Sequence, residues 1–340
     1  MAQILVTGGL GFIGSHTAVE LIKAGHEPVL IDDLSNSTAS VLDGIEGITS
    51  HRPVFERVDL KSKSEVRDFF GRYSSLDGII HFAAFKAVGE SVHKPLEYYE
   101  NNLGSLVYLL QEMRDLQIDN LIFSSSCTVY GEADELPITE NSPVKAAISP
   151  YGNTKQVGEE IIQDAINAHG FNAISLRYFN PIGAHPSAMI GESPLGVPLN
   201  LVPYVTQTAA KVREQLAVFG SDYETRDGTN ERDYIHVVDV AKAHVVALNR
   251  LLNRQNEGAY EVFNLGTGTG STVLEVIQSF ERVSNSKLNY KIVERRPGDV
   301  TAAYADTTKA NTVLGWKAEK SLDDAMADAW RWEKKIRNID

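Results

Sequence analysis

Several features that would narrow the function of this 340-residue chain quickly are missing from it. Only one cysteine is present, Cys127, so no intrachain disulfide can form and the composition gives no sign of an oxidising compartment. The chain has no run of 18 apolar residues and no basic segment at its start, so neither a membrane span nor a signal peptide is predicted. We therefore expect a cytoplasmic protein.

Positive charge is also scarce. The 32 Lys and Arg residues are outnumbered by 45 Asp and Glu residues, which gives a net charge of −13. Such a chain repels phosphate backbones and anionic lipid alike, so we predict neither a nucleic-acid partner nor a membrane partner. The nine histidines form no Cys/His cluster and show no short His-x-x-x-His spacing, so no metal site is predicted either.

Apolar runs alternate with helical patterns through the first half of the chain. The predicted strands cover residues 4–6, 29–31, 54–58, 78–82 and 121–125, with helical patterns at residues 13–24, 61–73 and 98–116. Strands without alternating polarity suit a parallel sheet that helices cover on both faces. The pattern therefore predicts an α/β fold with a doubly wound parallel (Rossmann) sheet, whose ligand binds beyond the carboxyl ends of the strands.

The pattern changes after residue 180, because proline and glycine recur through residues 181–203 as in a long surface excursion. Helical patterns at residues 239–252 and 273–283 and a strand at residues 260–265 follow. We predict two domains, residues 1–180 with the doubly wound sheet and residues 181–340 as a second, smaller α/β lobe. Segments of the second range are expected to return to the first sheet.

A glycine-rich turn follows the first predicted strand. Gly8, Gly11 and Gly14 lie between this strand and the start of a helix. Missing side chains let the backbone approach a pyrophosphate, and the helix start offers free N–H groups and a positive dipole end. A glycine-rich turn without function would look the same, so the next strand decides between the two.

That next strand ends in two acids, Asp32 and Asp33. A carboxylate at this position can accept hydrogen bonds from an adenosine ribose and would repel a 2′-phosphate, so the pattern favours NAD over NADP. Asp59, at another strand end, could reach the adenine amino group. The pattern is equally consistent with a solvated acid at the end of a strand. A second glycine cluster, residues 266–270, has no acid after a following strand, so we interpret it as a tight turn before a helix.

Ser149 and Pro150 predict a helix start that places Tyr151 and Lys155 on one helix face. An adjacent ammonium and a cationic nicotinamide both favour the phenolate, so we expect the pKa of Tyr151 to fall towards working pH, where it can act as a base. Such pairs also occur on ordinary amphipathic helices, but here the pair accompanies a nucleotide fingerprint. Ser126, in a serine run at a strand end, could hydrogen-bond the reacting oxygen.

Together, the glycine turn, Ser126 and the Tyr-x-x-x-Lys pair resemble the extended short-chain dehydrogenase/reductase family, in its sugar-nucleotide branch. Further motifs carry a likeness to its UDP-glucose 4-epimerases over essentially the whole chain: residues 86–91, 178–181, 183–186 and 232–237. The resemblance implies that Tyr151 takes the proton of the 4-hydroxyl while carbon 4 gives a hydride to tightly bound NAD. Hydride returned to the other face of the keto sugar would convert UDP-galactose to UDP-glucose with no net redox change.

The resemblance also implies individual roles, with residues 1–180 binding NAD and residues 181–340 binding the UDP-sugar. Tyr151, Lys155 and Ser126 are the expected catalytic residues. The expected cofactor-binding residues are Gly8, Gly11, Phe12, Ile13, Gly14, Asp32, Asp33, Asn36, Asp59, Leu60, Phe82, Ala83, Ala84, Lys86, Asn101, Ser124, Tyr151, Lys155 and Tyr178. The expected substrate-binding residues are Lys86, Ser126, Tyr151, Phe179, Asn180, Asn200, Leu201, Ala217, Phe219, Arg232, Arg296, Asp299 and Ala303. Family members are commonly dimers, so we expect a homodimer.

Two parts of the chain bear on the reaction and the substrates that the resemblance implies. Dehydratases of the same branch carry an acid just after the equivalent serine, where this chain has Cys127, Thr128 and Val129, so epimerisation is favoured over elimination. Ala303 stands where members restricted to UDP-glucose and UDP-galactose have a bulky aromatic, so UDP-GlcNAc and UDP-GalNAc are possible further substrates. A UDP-sugar decarboxylase and a cofactor-sensing regulator on the same fold stay open as alternatives, although regulators usually lack the Tyr/Lys pair.

Overall fold

Strands and helices alternate along the first half of the chain, as the apolar pattern predicts. The computed structural model describes residues 1–296 and 299–339. The strands are β1 (Gln3–Thr7), β2 (Glu27–Asp32), β3 (Val54–Arg57), β4 (Gly78–His81), β5 (Asn120–Ser124), β6 (Asn172–Tyr178), β7 (Asn180–Ile182), β8 (Leu216–Phe219), β9 (Glu231–Arg232), β10 (Tyr234–His236), β11 (Tyr260–Leu265), β12 (Ser271–Thr272), β13 (Tyr290–Val293) and β14 (Ala302–Ala303). The helices are α1 (Phe12–Lys23), α2 (Val41–Thr49), α3 (Lys63–Arg72), α4 (Val88–His93), α5 (Pro95–Leu116), α6 (Pro150–His169), α7 (Leu201–Ala209), α8 (Val237–Leu252), α9 (Val273–Ser284) and α10 (Leu322–Arg337).

Seven of these strands form one parallel sheet in the order β11-β6-β5-β4-β1-β2-β3. The strand order reverses at β1, which pairs with β2 on one side and with β4 on the other. This is the topological switch point, where ligands of open α/β sheets bind beyond the strand ends. The predicted doubly wound sheet is therefore confirmed, and the glycine turn lies directly at its switch point.

Helices cover both faces of this sheet. On one face α1 and α8 pack on side chains such as Val6, Leu30 and Ile122, which are buried. On the other face α3, α5 and α6 pack on Leu5 and Leu121. Because consecutive strand residues point to opposite faces, strands that are apolar throughout supply both cores at once.

The second half of the chain contributes to two layers. β11 lies at one edge of the main sheet, and α8 packs beside α1 on one face of that sheet. Both elements therefore belong to the main sheet and its helices. α7, α9 and α10 surround a separate core together with β8 and β10. Three short sheets, β10-β7, β12-β9-β14 and β13-β8, carry five of the predicted substrate residues: Asn180, Ala217, Phe219, Arg232 and Ala303.

Local signals fix the helix ends. Ser149 caps α6 with Pro150 in its first turn, as predicted, and Thr272 caps α9 in a capping box with Glu275. The predicted pattern lacks helices α2, α4, α7 and α10, the strand β6 of the main sheet, and the short strands β7, β8, β9, β10, β12, β13 and β14. Among the described residues, no helix has the length and apolar character needed to cross a bilayer, and no group of three or more potential ligand side chains is placed to hold a metal ion.

Candidate active site

The glycine turn between β1 and α1 has the shape that a pyrophosphate needs. Gly8 adopts a φ of +65°, a left-handed conformation that suits glycine. A Cβ atom at Gly14 would lie 2.2 Å from the carbonyl oxygen of Gly8 and 3.0 Å from the Cα of Gly9, so only glycine fits there. Gly11 is the N-cap of α1 and offers no capping side chain, which leaves the N–H groups of the first turn, at Phe12 and Ile13, available to an anion. The turn therefore fits a dinucleotide.

The acids after β2 lie beside this turn. Asp32 is buried and accepts hydrogen bonds from Leu10 N at 3.2 Å, Leu34 N at 2.9 Å and Ser37 Oγ at 2.7 Å. Its carboxylate thus ties the glycine turn to the loop after β2, a scaffold role that the sequence reasoning did not foresee. Asp33 is partly exposed, and its Oδ1 accepts hydrogen bonds from the backbone and the hydroxyl of Ser35.

The remaining residues predicted for the adenosine end lie at neighbouring strand ends. Asn36 is exposed in the loop after β2, and Leu60 is buried just after β3. Asp59 accepts a hydrogen bond from Lys61 N at 2.9 Å, and its carboxylate lies 3.7 Å from the Lys61 ammonium. The contact with Lys61 agrees with the alternative interpretation, in which Asp59 is a solvated acid at a strand end. A contact between Asp59 and adenine stays a prediction.

The end of β4 meets the glycine turn from the other side. Phe82 N donates to the carbonyl oxygen of Thr7, and Ala83 N donates to Thr7 Oγ1, both at 3.2 Å. A Cβ atom at Gly8 would lie only 3.0 Å from Ala83 N, so these two segments are in close contact. Phe82, Ala83 and Ala84 are all partly buried along this side of the switch point.

Glu192 joins two of the predicted binding residues. Its Oε1 accepts hydrogen bonds from Lys86 Nζ at 3.2 Å and from Asn200 Nδ2 at 2.6 Å. Asn101, predicted with Lys86 for the cofactor pocket, donates through Nδ2 to Asn102 Oδ1 at 2.9 Å. Glu192 was missed because it lies in a proline- and glycine-rich stretch where no periodicity marks an acid as functional.

Helix α6 brings the predicted catalytic pair to the carboxyl edge of the sheet. Its start is fixed by Ser149, whose hydroxyl accepts a hydrogen bond from Gly152 N at 3.1 Å. Tyr151 and Lys155 lie one turn apart and are 8% and 4% exposed. Lys155 Nζ donates to the carbonyl oxygen of Ser124 at 2.7 Å and lies 5.9 Å from the centre of the Tyr151 ring.

The serine run after β5 faces this pair. The Ser124 hydroxyl is hydrogen-bonded to the Tyr178 hydroxyl, which joins two residues predicted for the nicotinamide side. Ser126 is the N-cap of a short 3₁₀ helix, Cys127–Tyr130, and its Oγ accepts from Thr128 N at 3.2 Å. The cap holds Ser126 in an extended conformation at the sheet edge, on the same side as Tyr151.

Burial dominates the electrostatics of the pair. It raises the pKa of the Tyr151 phenol above the ordinary range of tyrosine, although a hydrogen bond with Ser126 opposes the rise. Burial lowers the pKa of Lys155 to about 8, while the negative charge of Glu159 raises it. The expected fall in the pKa of Tyr151 is therefore not produced by the groups of the protein chain alone. The ammonium of Lys155 bonds to a backbone carbonyl and not to the phenol, so its charge does not outweigh the desolvation.

Short strands of the second lobe place the predicted sugar-side residues. Arg232 on β9 is the direct pairing partner of Ala303 on β14, so these two predicted substrate residues lie side by side. Asn180 lies on β7, and Phe179 just before it is buried in a cluster with Tyr130, against which Ala303 packs. Ala303 thus lies beside Arg232 and packs against the apolar cluster that contains Phe179 and Tyr130.

The residues predicted for the nucleotide end also lie in this lobe. Arg296 forms a bidentate pair with Asp299, with donor–acceptor distances of 2.7 and 3.2 Å, and its guanidinium carbon lies 5.7 Å from the centre of the Phe219 ring. Phe219 ends β8 and is 40% exposed. Ala217 lies on β8 as well, and Leu201 begins α7.

The second glycine cluster, residues 266–270, wraps a carboxylate of the chain itself. The buried Asp233 accepts from Thr267 N and Thr267 Oγ1 at 2.8 Å, from Gly268 N at 3.1 Å and from Ala305 N at 3.2 Å. The structural interpretation of the cluster is therefore confirmed. Asp233, which follows Arg232 directly, fixes the strand that carries this arginine. No local pattern could have shown that contact.

Known proteins share both the sequence and the structure. A family model described as "NAD dependent epimerase/dehydratase family" matches residues 4–266. The UDP-glucose 4-epimerase of Bacillus subtilis (strain 168) is 49% identical over 331 residues, which covers 97% of this chain and 96% of that protein. The chain belongs to the UDP-glucose 4-epimerase family.

Two solved epimerase structures superpose on nearly all of it. The UDP-glucose-4-epimerase from Stenotrophomonas maltophila, with bound NAD and formylated UDP-arabinopyranose, is 44% identical with a TM-score of 0.95 and covers 99% of both chains. The UDP-glucose 4-epimerase from Bifidobacterium longum, in complex with NAD+ and UDP, is 44% identical with a TM-score of 0.94. It covers 99% of this chain and 100% of its own. This epimerase fold is thus shared from end to end.

Proposed function

We propose that this chain is an NAD-dependent UDP-hexose 4-epimerase that interconverts UDP-galactose and UDP-glucose. The observation that carries the proposal is the meeting of Tyr151, Lys155 and Ser126 beside the glycine turn at the switch point of the sheet. Cys127 and Thr128 follow the serine run where an acid would be needed to eliminate water. The site therefore has groups for oxidation and reduction at one carbon, and none at that place for elimination.

Each of the three side chains has a definite task in this reaction. Tyr151 takes the proton of the sugar 4-hydroxyl and later returns it, and Ser126 hydrogen-bonds the same oxygen. Lys155 supplies the positive charge that favours the phenolate and would hold the nicotinamide ribose. When bound, NAD supplies the acceptor and donor of the hydride at carbon 4.

The second lobe would hold the nucleotide part of the substrate. Arg232 and Arg296 suit a diphosphate because a guanidinium binds phosphate oxygens through two parallel hydrogen bonds. The exposed ring of Phe219 offers a stacking face for uracil, beside the predicted contacts of Asn200 and Leu201. Anchoring at the diphosphate leaves the hexose free to turn, which is what inversion at carbon 4 requires.

The test is turnover without added cofactor. The protein is purified with no NAD in any buffer and supplied with UDP-galactose, and UDP-glucose is followed by chromatography. We expect UDP-glucose to form, because cofactor regenerated in every cycle can stay bound. Release of carbon dioxide from UDP-glucuronate would indicate the decarboxylase instead. Bound NAD without turnover of any UDP-sugar would indicate the regulator.

A second substrate pair is favoured by Ala303. Ala303 pairs with Arg232 and packs against the apolar cluster around Phe179, and its methyl group takes up much less space there than an aromatic side chain would. We propose that UDP-GalNAc and UDP-GlcNAc are also interconverted. Ala303→Tyr should reduce the kcat/KM for UDP-GalNAc at least tenfold more than that for UDP-galactose, because a smaller pocket excludes the N-acetyl group and still accepts the hydroxyl group.

Ala302→Tyr is the matched control for this variant, since neighbouring strand residues point to opposite faces. It should leave the ratio of the two kcat/KM values unchanged. Negligible turnover of UDP-GalNAc by the wild-type protein, or equal losses on both substrates in Ala303→Tyr, would refute the second substrate pair.

We further propose that the protein is cytoplasmic and a homodimer. The lone cysteine supports a reducing compartment. Val88, Val92 and Leu96 on α4 and α5 expose apolar side chains close together, as an interface residue set would. Sedimentation equilibrium should give twice the chain mass of 37.4 kDa. A mass that stays at 37.4 kDa at micromolar concentration would refute the dimer.

A further inference from the structure

Beneath the catalytic pair, α6 and β6 bury an ion pair that the proposed reaction does not use. Glu159 and Arg177 are 4% and 6% exposed. Arg177 Nε donates to Glu159 Oε1 at 2.9 Å, and the other nitrogen of its fork bonds Oε2. Burying two charges costs so much solvation that an apolar pair of similar volume is often at least as stable. The position of Glu159 suggests why the charge is kept there.

Glu159 holds the serine run through its middle residue. Ser125 Oγ donates to Glu159 Oε1 at 2.5 Å, and Ser125 N bonds the carbonyl oxygen of Leu176 at 3.0 Å. The two neighbours of Ser125 contact the catalytic pair. The carbonyl oxygen of Ser124 accepts the hydrogen bond of Lys155, and Ser126 faces Tyr151. A shift of Ser125 would therefore move both.

Among the residues that the structure describes, Glu159 is the acid whose charge acts on Lys155. It follows Lys155 by four residues on α6, so the two side chains lie on the same helix face. Its negative charge opposes the effect of burial on the Lys155 ammonium. Arg177 faces Glu159 from β6, and Tyr260 faces it from β11.

The other titratable groups around Lys155 keep one charge state near neutral pH. His81 on β4 stays neutral because burial lowers its pKa to about 3. Tyr178 on β6 stays protonated because burial raises its pKa to about 12, and burial also raises the pKa of Tyr260. Tyr151 on the same helix face has a raised pKa as well. Of these groups, Lys155 is the one that changes charge between pH 6 and pH 10.

We propose that Glu159 is a positioning residue of the catalytic site, which fixes the serine run through Ser125 and keeps Lys155 in its ammonium form. The inference rests on the proposed epimerase function, because it assigns the ammonium the task of favouring the Tyr151 phenolate. Arg177 has a supporting role, since it orients the Glu159 carboxylate and compensates its charge.

The test uses Glu159→Gln, which keeps the size of the side chain and removes its charge. The alkaline limb of the kcat/KM profile for UDP-galactose should move roughly one pH unit lower, the effect expected on losing one close opposite charge. Glu160→Gln is the matched control, because Glu160 is the next residue on α6 and is exposed. Its profile should coincide with that of the wild type.

Ser125→Ala separates the two effects of Glu159. It removes the hydrogen bond to the serine run and leaves the charge near Lys155, so kcat should fall while the alkaline limb stays in place. A Glu159→Gln profile that is lowered at every pH without a shift would show a merely structural role and overturn the proposal.

A measurement independent of turnover keeps the proposal testable. In protein with ¹³C-labelled lysine Cε, the Lys155 signal, assigned by its loss in Lys155→Arg, should titrate at lower pH in Glu159→Gln than in the wild type. If the wild type titrates as described but converts no UDP-galactose, the epimerase function falls and the charge effect stands. If it converts UDP-galactose and Glu159→Gln shows no shift in this titration, the positioning role falls alone.

Removing one charge of a buried pair can prevent folding. The double variant Glu159→Gln with Arg177→Met removes both charges and keeps an unbranched stem in place of the arginine. It should shift the Lys155 titration downward by less than Glu159→Gln does, because removing the Arg177 charge offsets part of the loss of the Glu159 charge. A double variant that titrates like the wild type would also overturn the proposal.

Discussion

Replacing Gly14 with alanine is the substitution that tests the glycine turn most severely. The added Cβ would lie 2.2 Å from the carbonyl oxygen of Gly8 and 3.0 Å from the Cα of Gly9, both backbone atoms that cannot swing away. Gly8 already adopts a left-handed conformation, so the turn has little room to adjust. Overfilling a packed site usually costs about 1–3 kcal/mol, and a contact this close belongs at the upper end.

This cost should appear in cofactor retention, because the turn must open where the pyrophosphate would bind. About 3 kcal/mol corresponds to a loss of affinity on the order of a hundredfold. NAD released by acid from the purified protein is measured per chain, together with the thermal unfolding midpoint. We expect about one NAD per chain in the wild type and a small fraction of that in Gly14→Ala.

Gly71→Ala is the control, because the new methyl group on α3 meets no atom within 4 Å apart from its chain neighbours and the backbone of its own helix. It should retain NAD fully and gain roughly 0.5–1 kcal/mol of stability, as alanine does over glycine in a helix. Full NAD content with an unchanged unfolding midpoint in Gly14→Ala would refute the reasoning from the turn.

Two further predictions concern Tyr151 and His16. Tyr151→Phe should lower kcat roughly 10²–10⁴-fold with little change in KM, because it removes the group that moves the proton, and Tyr108→Phe on α5 should leave both constants alone. An equal loss in both variants would contradict the role of Tyr151. Burial lowers the pKa of His16 from 6.5 to about 3. Below pH 6.5 the unfolded chain therefore binds more protons than the folded chain, and the free energy of unfolding decreases as the pH is lowered. His16→Gln should remove up to about 1.4 kcal/mol per pH unit from this slope between pH 6 and pH 4, measured by urea unfolding; an unchanged slope would contradict the assignment.

Much of the fold and the outline of the site follow from local signals. The glycine turn, the apolar strands and the Ser149 cap each depend on residues near in sequence, and each lies where the pattern places it. Parallel strands then carry their ends to one edge, which brings Ser126 to the pair on α6 without any further information. Tyr151 and Lys155 could therefore be predicted together with Ser126.

What the sequence could not reveal depends on contacts between distant segments. The four hydrogen bonds on Asp233 come from residues 267, 268 and 305, and Glu192 joins Lys86 to Asn200. The pKa of Tyr151 depends on how deeply several elements bury the phenol, and burial outweighs the nearby ammonium. Glu159 alone left a local signal, as an acid on the otherwise buried face of α6 four residues after Lys155.

The most direct test of the central claim is the fate of the hydrogen at sugar carbon 4. Protein purified without NAD is incubated with UDP-galactose in ²H₂O, and the UDP-glucose that forms is analysed by proton NMR. An epimerase that removes and returns the same hydrogen yields UDP-glucose with no solvent deuterium at carbon 4. Deuterium at carbon 4, or no UDP-glucose from protein that carries NAD, would contradict the account.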